Sequence, residues 1–382
     1  MEAVVVHSGF DGLRFTVQTD ISLDFRATLA DAKAKAIETN SDCVMDIGGM
    51  QLAVRRNGGS AFSSHTGEYG AEWYFLDPEN RPPNNPGITV DFRAFLLATG
   101  GLRAAQEHFE TCMAAFGIRY VNTQLRVSRV DFAIDILAPW FEPDREALVV
   151  PPGTRIREYT GADETETHST GARVTGLRAG AVGNRQLVIY DKRAEIIAKG
   201  KMGWLKIWDA TLAKLGKPPL DLKNRDQSQI WRFELRMGSK QLRNKWEIRD
   251  WVDLDAIIGD AFSDFCERIR YCIPTEDSNR ARWSFHELWR VVVEVISKDL
   301  RELRSGVVPE EVKTANREEH QHTLDALILG LLVSRAATEG IEAENFDLFV
   351  DRHVTVLKEL SHGHPTTIED RLAKSEGKYR FR

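Results

Sequence analysis

The chain has 382 residues, 42% of them hydrophobic and 28% charged, with a formal net charge of −6. That is the make-up of a globular protein with one large core or two smaller ones, and it excludes disordered and fibrous classes. The charge is uneven: residues 173–250 carry 18 Lys and Arg against 8 Asp and Glu, a local +10 that leaves −16 on the remainder, and a polyanion meets local rather than total charge.

The longest apolar run, Leu324 to Val333, is broken by Asp325 and too short to cross a bilayer, and Met1-Glu2-Ala3 opens without a basic n-region. The chain therefore reads as cytoplasmic, with no membrane partner. Cys43, Cys112, Cys266 and Cys272 form none of the close pairs that zinc or redox motifs need and read as buried thiols.

In chain order, Val4 to Val6 and Leu13 to Val17 predict strands around a turn at Ser8-Gly9-Phe10-Asp11-Gly12. Ser22 to Thr39 predicts a helix, Cys43 to Arg56 a hairpin turning at Gly48-Gly49, and Glu72 to Leu76 and Ile88 to Phe92 two strands around a Pro/Asn-rich loop, Pro78 to Pro86. The run Arg55 to Ser60 reads as an ordinary turn with two exposed arginines. Leu102 to Phe116 is helical, Gln124 to Ile136 a long strand, and Arg173 to Leu177 and Gln186 to Tyr190 strands flanking a turn at Gly180 to Asn184. Such short connections imply antiparallel pairing.

An insertion at about 200–228 places Trp204, Trp208, Leu212 and Leu215 on one helical stripe, a pattern that favours packing over base stacking. After the strand Trp231 to Met237 only helical spacing remains, in Trp251 to Cys272, Trp283 to Arg304, His322 to Ala337 and Phe346 to Leu360, and Lys374 to Arg382 is a polar tail. The expected architecture is α+β: an antiparallel-sheet catalytic domain with flanking helices over 1–273, then a mostly helical C-terminal region over 274–382.

Three charged segments carry the chemistry. Asp131 and Asp135 lie four apart on a strand and face the same way, two positions after Arg129. Arg232, Glu234 and Arg236 alternate in the same manner, opposite Trp231, Phe233 and Leu235. Tyr190-Asp191-Lys192-Arg193-Ala194-Glu195 sets a phenol beside a cation and an acid at the end of an apolar strand. Acids so aligned suit one hard divalent cation, Mg or Mn, and arginines suit phosphate oxygens. A surface ladder of ion pairs is the plain alternative for either strand alone.

At these residues the chain resembles the replication initiation factor (Rep-trans) family of rolling-circle plasmid initiators and the related relaxases of conjugative elements. The matching blocks are the Arg-hydrophobic-Asp strand at Arg129 to Asp135, the Tyr-x-Lys-x-x-Glu run at Tyr190 to Glu195 and the Arg-x-Glu-x-Arg strand at Arg232 to Arg236, with Asp11 to Phe15 similar to the opening strand. The likeness covers roughly residues 1 to 250, and the insertion departs from the pattern.

The resemblance implies an enzyme that nicks and rejoins origin DNA, single-stranded or supercoiled. Tyr190 attacks a phosphodiester, keeps the 5′ phosphate as phosphotyrosine and frees a 3′ hydroxyl as primer. A divalent cation is then expected on Asp131, Glu234 and Asp135. Glu195 serves as ligand or base, Lys192, Arg232 and Arg236 hold phosphates, and Arg129, Lys240, Arg243 and Lys245 add to the DNA grip. A host helicase and a second copy of the chain are the expected protein partners. The competing readings are a metal nuclease that uses water and a non-catalytic DNA-binding protein. His320-Gln321-His322 and His362-Gly363-His364 read as solvent-facing histidines, and no Walker, Rossmann or Gly-x-Ser-x-Gly motif occurs.

Overall fold

The computed structural model describes residues 3–58, 61–77, 87–160, 174–298, 300, 309–362 and 366–379. The loop expected at Pro78 to Pro86, Gly59 and Ser60 of the Arg55 turn, Arg173, Arg301 to Arg304 and His364 lie outside these residues. So do the last residues of the tail.

The first strand, β1 (Val4–Gln18), runs unbroken through Ser8 to Gly12, where the sequence predicts a turn. Its glycines are absorbed by bulges against β7 at Val5/His7 and Phe10/Gly12, because backbone pairing on both sides outweighs the local turn preference. Helix α1 (Leu23–Thr39) starts at Ser22, whose hydroxyl accepts from the Phe25 N–H, and ends on Asn40 in the left-handed region. The hairpin β2 (Cys43–Ile47) and β3 (Met50–Val54) turns at Gly48-Gly49 as expected. It is followed by β4 (Ala61–His65), β5 (Ala71–Leu76) and β6 (Gly87–Phe92).

Helix α2 (Ala94–Ala115) begins earlier than its sequence pattern suggests, because it is two helical stretches joined at Gly101, whose φ of 68° kinks the axis. Then come β7 (Leu125–Leu137), β8 (Leu148–Val149), β9 (Ile156–Thr160), β10 (Val174–Gly180) and β11 (Arg185–Asp191). The insertion holds α3 (Lys192–Lys199), α4 (Gly203–Lys214) and the single turn α5 (Arg225–Ser228). Trp204, Trp208 and Leu212 are buried, whereas Leu215, past the helix end, is 54% exposed.

The chain closes with β12 (Ile230–Gly238), α6 (Ser239–Asn244), α7 (Trp251–Arg268), β13 (Arg270–Tyr271), α8 (Glu287–Ile296), α9 (Pro309–Thr338), α10 (Phe346–His362) and α11 (Ile368–Tyr379). Eleven strands form one sheet in the order β2-β3-β4-β5-β6-β1-β7-β12-β11-β10-β9, antiparallel at each pairing, and β8 pairs with β13 apart from it.

One face of the sheet presents Phe15, Val130, Phe132, Ile134, Phe233 and Leu235 to α1, the second half of α2, α7 and α8 in a single apolar core. Leu288, Trp289, Val292 and Ile296 of α8 belong to this core, so it extends across the boundary expected near Ile273. A smaller core on the opposite face joins Phe95 and Ala98 of α2, Trp204 and Trp208 of α4 and Val312 of α9. The rest of that opposite face is polar and open. Among the described residues no helix is long and apolar enough to cross a membrane.

Candidate active site

Register builds the polar face. Across β7 and β12, Arg236 lies opposite Asp131, Glu234 opposite Ala133 and Arg232 opposite Asp135; across β12 and β11, Tyr190 lies opposite Arg232. Residues paired directly in an antiparallel ladder point to the same side, so the three charged segments share one surface. Gly12 of β1 sits opposite Asp131, and a Cβ built there would come within 2.7 Å of Asp131 Oδ2. Only glycine admits the carboxylate so close.

A cleft of about 340 Å³ opens over this surface, lined by Asp11, Gly12, Arg129, Asp131, Tyr190, Lys192, Glu195, Glu234 and Arg236, with α2 supplying Arg93 to Phe95 and α4 supplying Trp204. The N-cap of α3 is Asp191, whose carboxylate accepts from the Ala194 N–H. This anchors the helix turn that brings Lys192 and Glu195 beside Tyr190.

Within the cleft Asp131, Glu234 and Glu195 are each held by a base. Arg129 Nε donates to Asp131 Oδ1 at 2.9 Å, and Arg236 donates to both Glu234 oxygens at 2.7 and 2.9 Å. Burial, then the charge of Glu234, pushes the Asp131 carboxyl up to about 7, against the pull of Arg129 and Arg236. Lys192 pairs with Glu195, and Lys199 Nζ reaches the other Glu195 oxygen at 2.9 Å. Burial would raise Glu195, but Lys192 and Lys199 outweigh it and hold the carboxyl down at about 2. Glu195 is thus a poor base and a firm anchor for Lys192. The Lys192 Nζ lies 5.7 Å from the Tyr190 ring centre and 4.9 Å from that of Trp204, and burial followed by Arg232 lowers its pKa. Burial pushes the Tyr190 phenol well above its ordinary value, with Arg232 pulling the other way.

Five expected site residues stand apart, two of them buried. Asp135 is fully buried, its Oδ1 accepts from Arg232 Nε at 2.6 Å, and its Oδ2 accepts from Arg232 Nη2 at 2.8 Å and Trp208 Nε1 at 2.9 Å. Arg232, also fully buried, spends its remaining reach on Asp11 at 2.6 Å. Both lie on the cleft's face of the sheet but are sealed beneath it and line no part of it, so neither is free to hold a cation or a phosphate there. Lys240, Arg243 and Lys245 are exposed on or just after α6, outside the cleft, and Lys245 pairs with Asp264 at 2.5 Å.

Among the described residues no three His, Cys, Asp or Glu side chains converge as a metal cage. Asp131 and Glu234 remain, two carboxylates close enough for one to raise the other. That donor set fits Mg²⁺ or Mn²⁺, which take one or two carboxylates together with substrate phosphates.

Three residues of the site escape the sequence reading. Asp11 reads as a turn residue, and it reaches Arg232 only because the bulge turns it over the sheet. Glu72, bound by Arg55 at 2.5 and 2.8 Å and by Arg93, and Asp91, bound by Arg14, extend the acid–arginine pattern across β5, β6 and β1. The alternation Glu72-Trp73-Tyr74-Phe75 carries the signal for Glu72, but a lone strand does not disclose its partners.

No family model and no curated protein matches the chain. Among solved structures, the chain is similar to a rolling circle replication initiator protein from Geobacillus stearothermophilus, at 14% identity over 80% of this chain and 98% of that one, with a TM-score of 0.34. The superposition is loose, and the functional reading rests on the residues of the cleft.

Proposed function

We propose that the cleft nicks and rejoins origin DNA to initiate rolling-circle replication. The observation that carries the reading is the gathering of one tyrosine, two arginine-clasped carboxylates and a buried lysine over 340 Å³ of open polar sheet. The Tyr190 oxygen attacks phosphorus and the bond from phosphorus to the 3′ oxygen breaks. The product is a 5′-phosphotyrosine and a free 3′ hydroxyl, the phenol proton leaving to solvent and the departing oxygen taking one up. The reverse attack by a 3′ hydroxyl rejoins the strand.

Lys192, fixed by Glu195 with its Nζ 5.7 Å from the Tyr190 ring centre, is placed to hold the phosphate, and the charge of Arg232 favours the phenolate that burial otherwise opposes. Arg129 and Arg236 border the path of the phosphate. Asp131 and Glu234 would hold Mg²⁺ or Mn²⁺, which supplies charge neutralisation on the phosphate. The pair Asp135–Arg232 acts beneath the site, holding β7, β12 and α4 in register.

The test is incubation with supercoiled DNA that carries the chain's own coding region, with and without Mg²⁺ or Mn²⁺, followed by a denaturing gel. Metal-dependent nicked DNA with protein attached is the expected result. Nicks without attached protein would make the site a water-using nuclease, and binding without nicks would make it a non-catalytic DNA grip.

A further inference from the structure

The cleft's arginines are already occupied: Arg129 by Asp131, Arg236 by Glu234 and Arg93 by Glu72. A second hollow, of about 400 Å³, differs in kind. It is lined by Thr123, Arg126, Arg243, Asn244 and Arg249, three guanidinium groups and no carboxylate. None of the three arginines forms an ion pair among the described residues. Their backbones are fixed nonetheless, since the Val127 N–H donates to the Arg249 carbonyl at 3.0 Å and the Arg249 N–H donates to Asp253 Oδ2 at 3.0 Å. Arg126 Nη1 donates to the carbonyls of Thr123 and Leu125, both at 2.5 Å.

The sheet aims this hollow. Along β7 the residues Val130, Phe132, Ile134 and Ile136 point into the large core, so strict alternation would send Arg126 there too. The pairing with β1 slips between Arg14 and Phe15, leaving Ser128 as the extra residue. From that bulge onward Val127 and Leu125 take the core side, and Arg126 passes to the face that carries Asp131. Along the strand, Arg126 lies about 17 Å from Asp131.

We propose that Arg126, Arg243 and Arg249 form a phosphate grip for the flank of a single-stranded DNA whose reacting phosphate lies in the Tyr190 cleft. Guanidinium forks bind phosphate oxygens in pairs, and a strand laid along β7 spans the separation with a few nucleotides. The proposal rests on the reading that the cleft takes DNA.

The test uses full-length protein carrying Tyr190→Phe, in EDTA, so that binding is read without cleavage. A fluorescent mixed-sequence single-stranded oligonucleotide is titrated over a range of salt concentrations. The combined Arg126→Gln, Arg243→Gln and Arg249→Gln changes should lower the log–log salt slope by about 1 to 2, at ~0.7 for each phosphate no longer neutralised. The same loss of charge at exposed lysines, Lys206→Gln, Lys217→Gln and Lys223→Gln, should leave the slope unchanged. Equal slopes in both variants, or equal reductions, overturn the proposal. If the triple arginine variant does not fold, Arg243→Gln alone, on an exposed helix position, should remove about 0.7 from the slope. If protein with Tyr190 intact forms no covalent adduct in Mg²⁺ or Mn²⁺ while the arginine changes still lower the slope, the nicking reading fails and this one stands.

Discussion

Asp135 and Arg232 face each other across the β7–β12 ladder and bond at two points, 2.6 and 2.8 Å, with both side chains fully buried. Removing one partner leaves the other charged and unpaired in the interior. Asp135→Ala is therefore expected to destabilise the fold by about 3–5 kcal/mol, read as a lowered midpoint in urea. A variant that keeps its stability but loses metal-dependent cleavage would return Asp135 to the role of metal ligand.

Tyr190→Phe should leave oligonucleotide binding within about twofold and abolish the covalent adduct, because the ring and its packing stay while the nucleophilic oxygen goes. Recovery of an adduct from this variant would point to Tyr159, whose backbone pairs with Gly176 on the strand edge opposite Tyr190.

Asp131→Asn separates function from stability. The carboxylate is disfavoured by burial and by Glu234, as its rise to about 7 records, so a neutral side chain of the same shape should keep or raise the melting temperature at pH 8. Nicking should nevertheless fall by about 100-fold or more, as expected when a metal-holding oxygen is lost. Glu234→Gln should show the same fall in nicking. Wild-type rates in either variant under limiting metal would make both acids structural partners of Arg129 and Arg236.

Histidine gives the chain an acid limit. Burial lowers His108 to about 4, with its Nε2 2.8 Å from Thr66 Oγ1. Its folded pKa lies below the unfolded value, so its contribution is present above about 6.5 and is lost as pH falls toward 4. Between pH 7 and pH 5 the wild type should lose roughly 1–2 kcal/mol more than His108→Gln. Parallel denaturation curves at the two pH values would show that His108 titrates normally.

The alternation of Arg232, Glu234 and Arg236 is plain in the sequence, as are β7, β11 and the run Tyr190 to Glu195, because period-2 patterning is local. What separates Asp131 from Asp135 is not local. Both lie on the same face of one strand; Asp135 is sealed by Trp208 from the insertion and by an arginine that Asp11 also holds. Asp131, buried as well, lines the cleft instead, its carboxylate set against a glycine across β1. The turn expected at Ser8 to Gly12 is missing for a related reason, since neighbouring strands decide whether glycines bend a chain or lie flat in a bulge. Arg126 lies on the cleft face only through a slipped pair that no single strand displays.

Leu288, Trp289, Val292 and Ile296 of α8 fill the same core as Phe233 and Leu235, and the Phe233 and Trp289 rings are 6.4 Å apart. A chain ending at Ile273 should therefore precipitate or melt without a cooperative transition, whereas one ending after Thr338 should melt sharply. A soluble, sharply melting chain of 273 residues would make α8 dispensable.

The strand order has a consequence for synthesis. Strand β7 can pair with β1 as soon as residue 137 has emerged, but its other edge waits for β12, which begins at residue 230. Throughout that interval the edge that a second nascent chain would meet carries Asp131 and Asp135, and charges pointing from an edge strand oppose sheet-to-sheet association. The same two acids that later serve the cleft and the register thus guard the half-made sheet on the ribosome. Asp135→Val should then give more aggregate when translation is slowed between residues 137 and 230 than when it is slowed after residue 238.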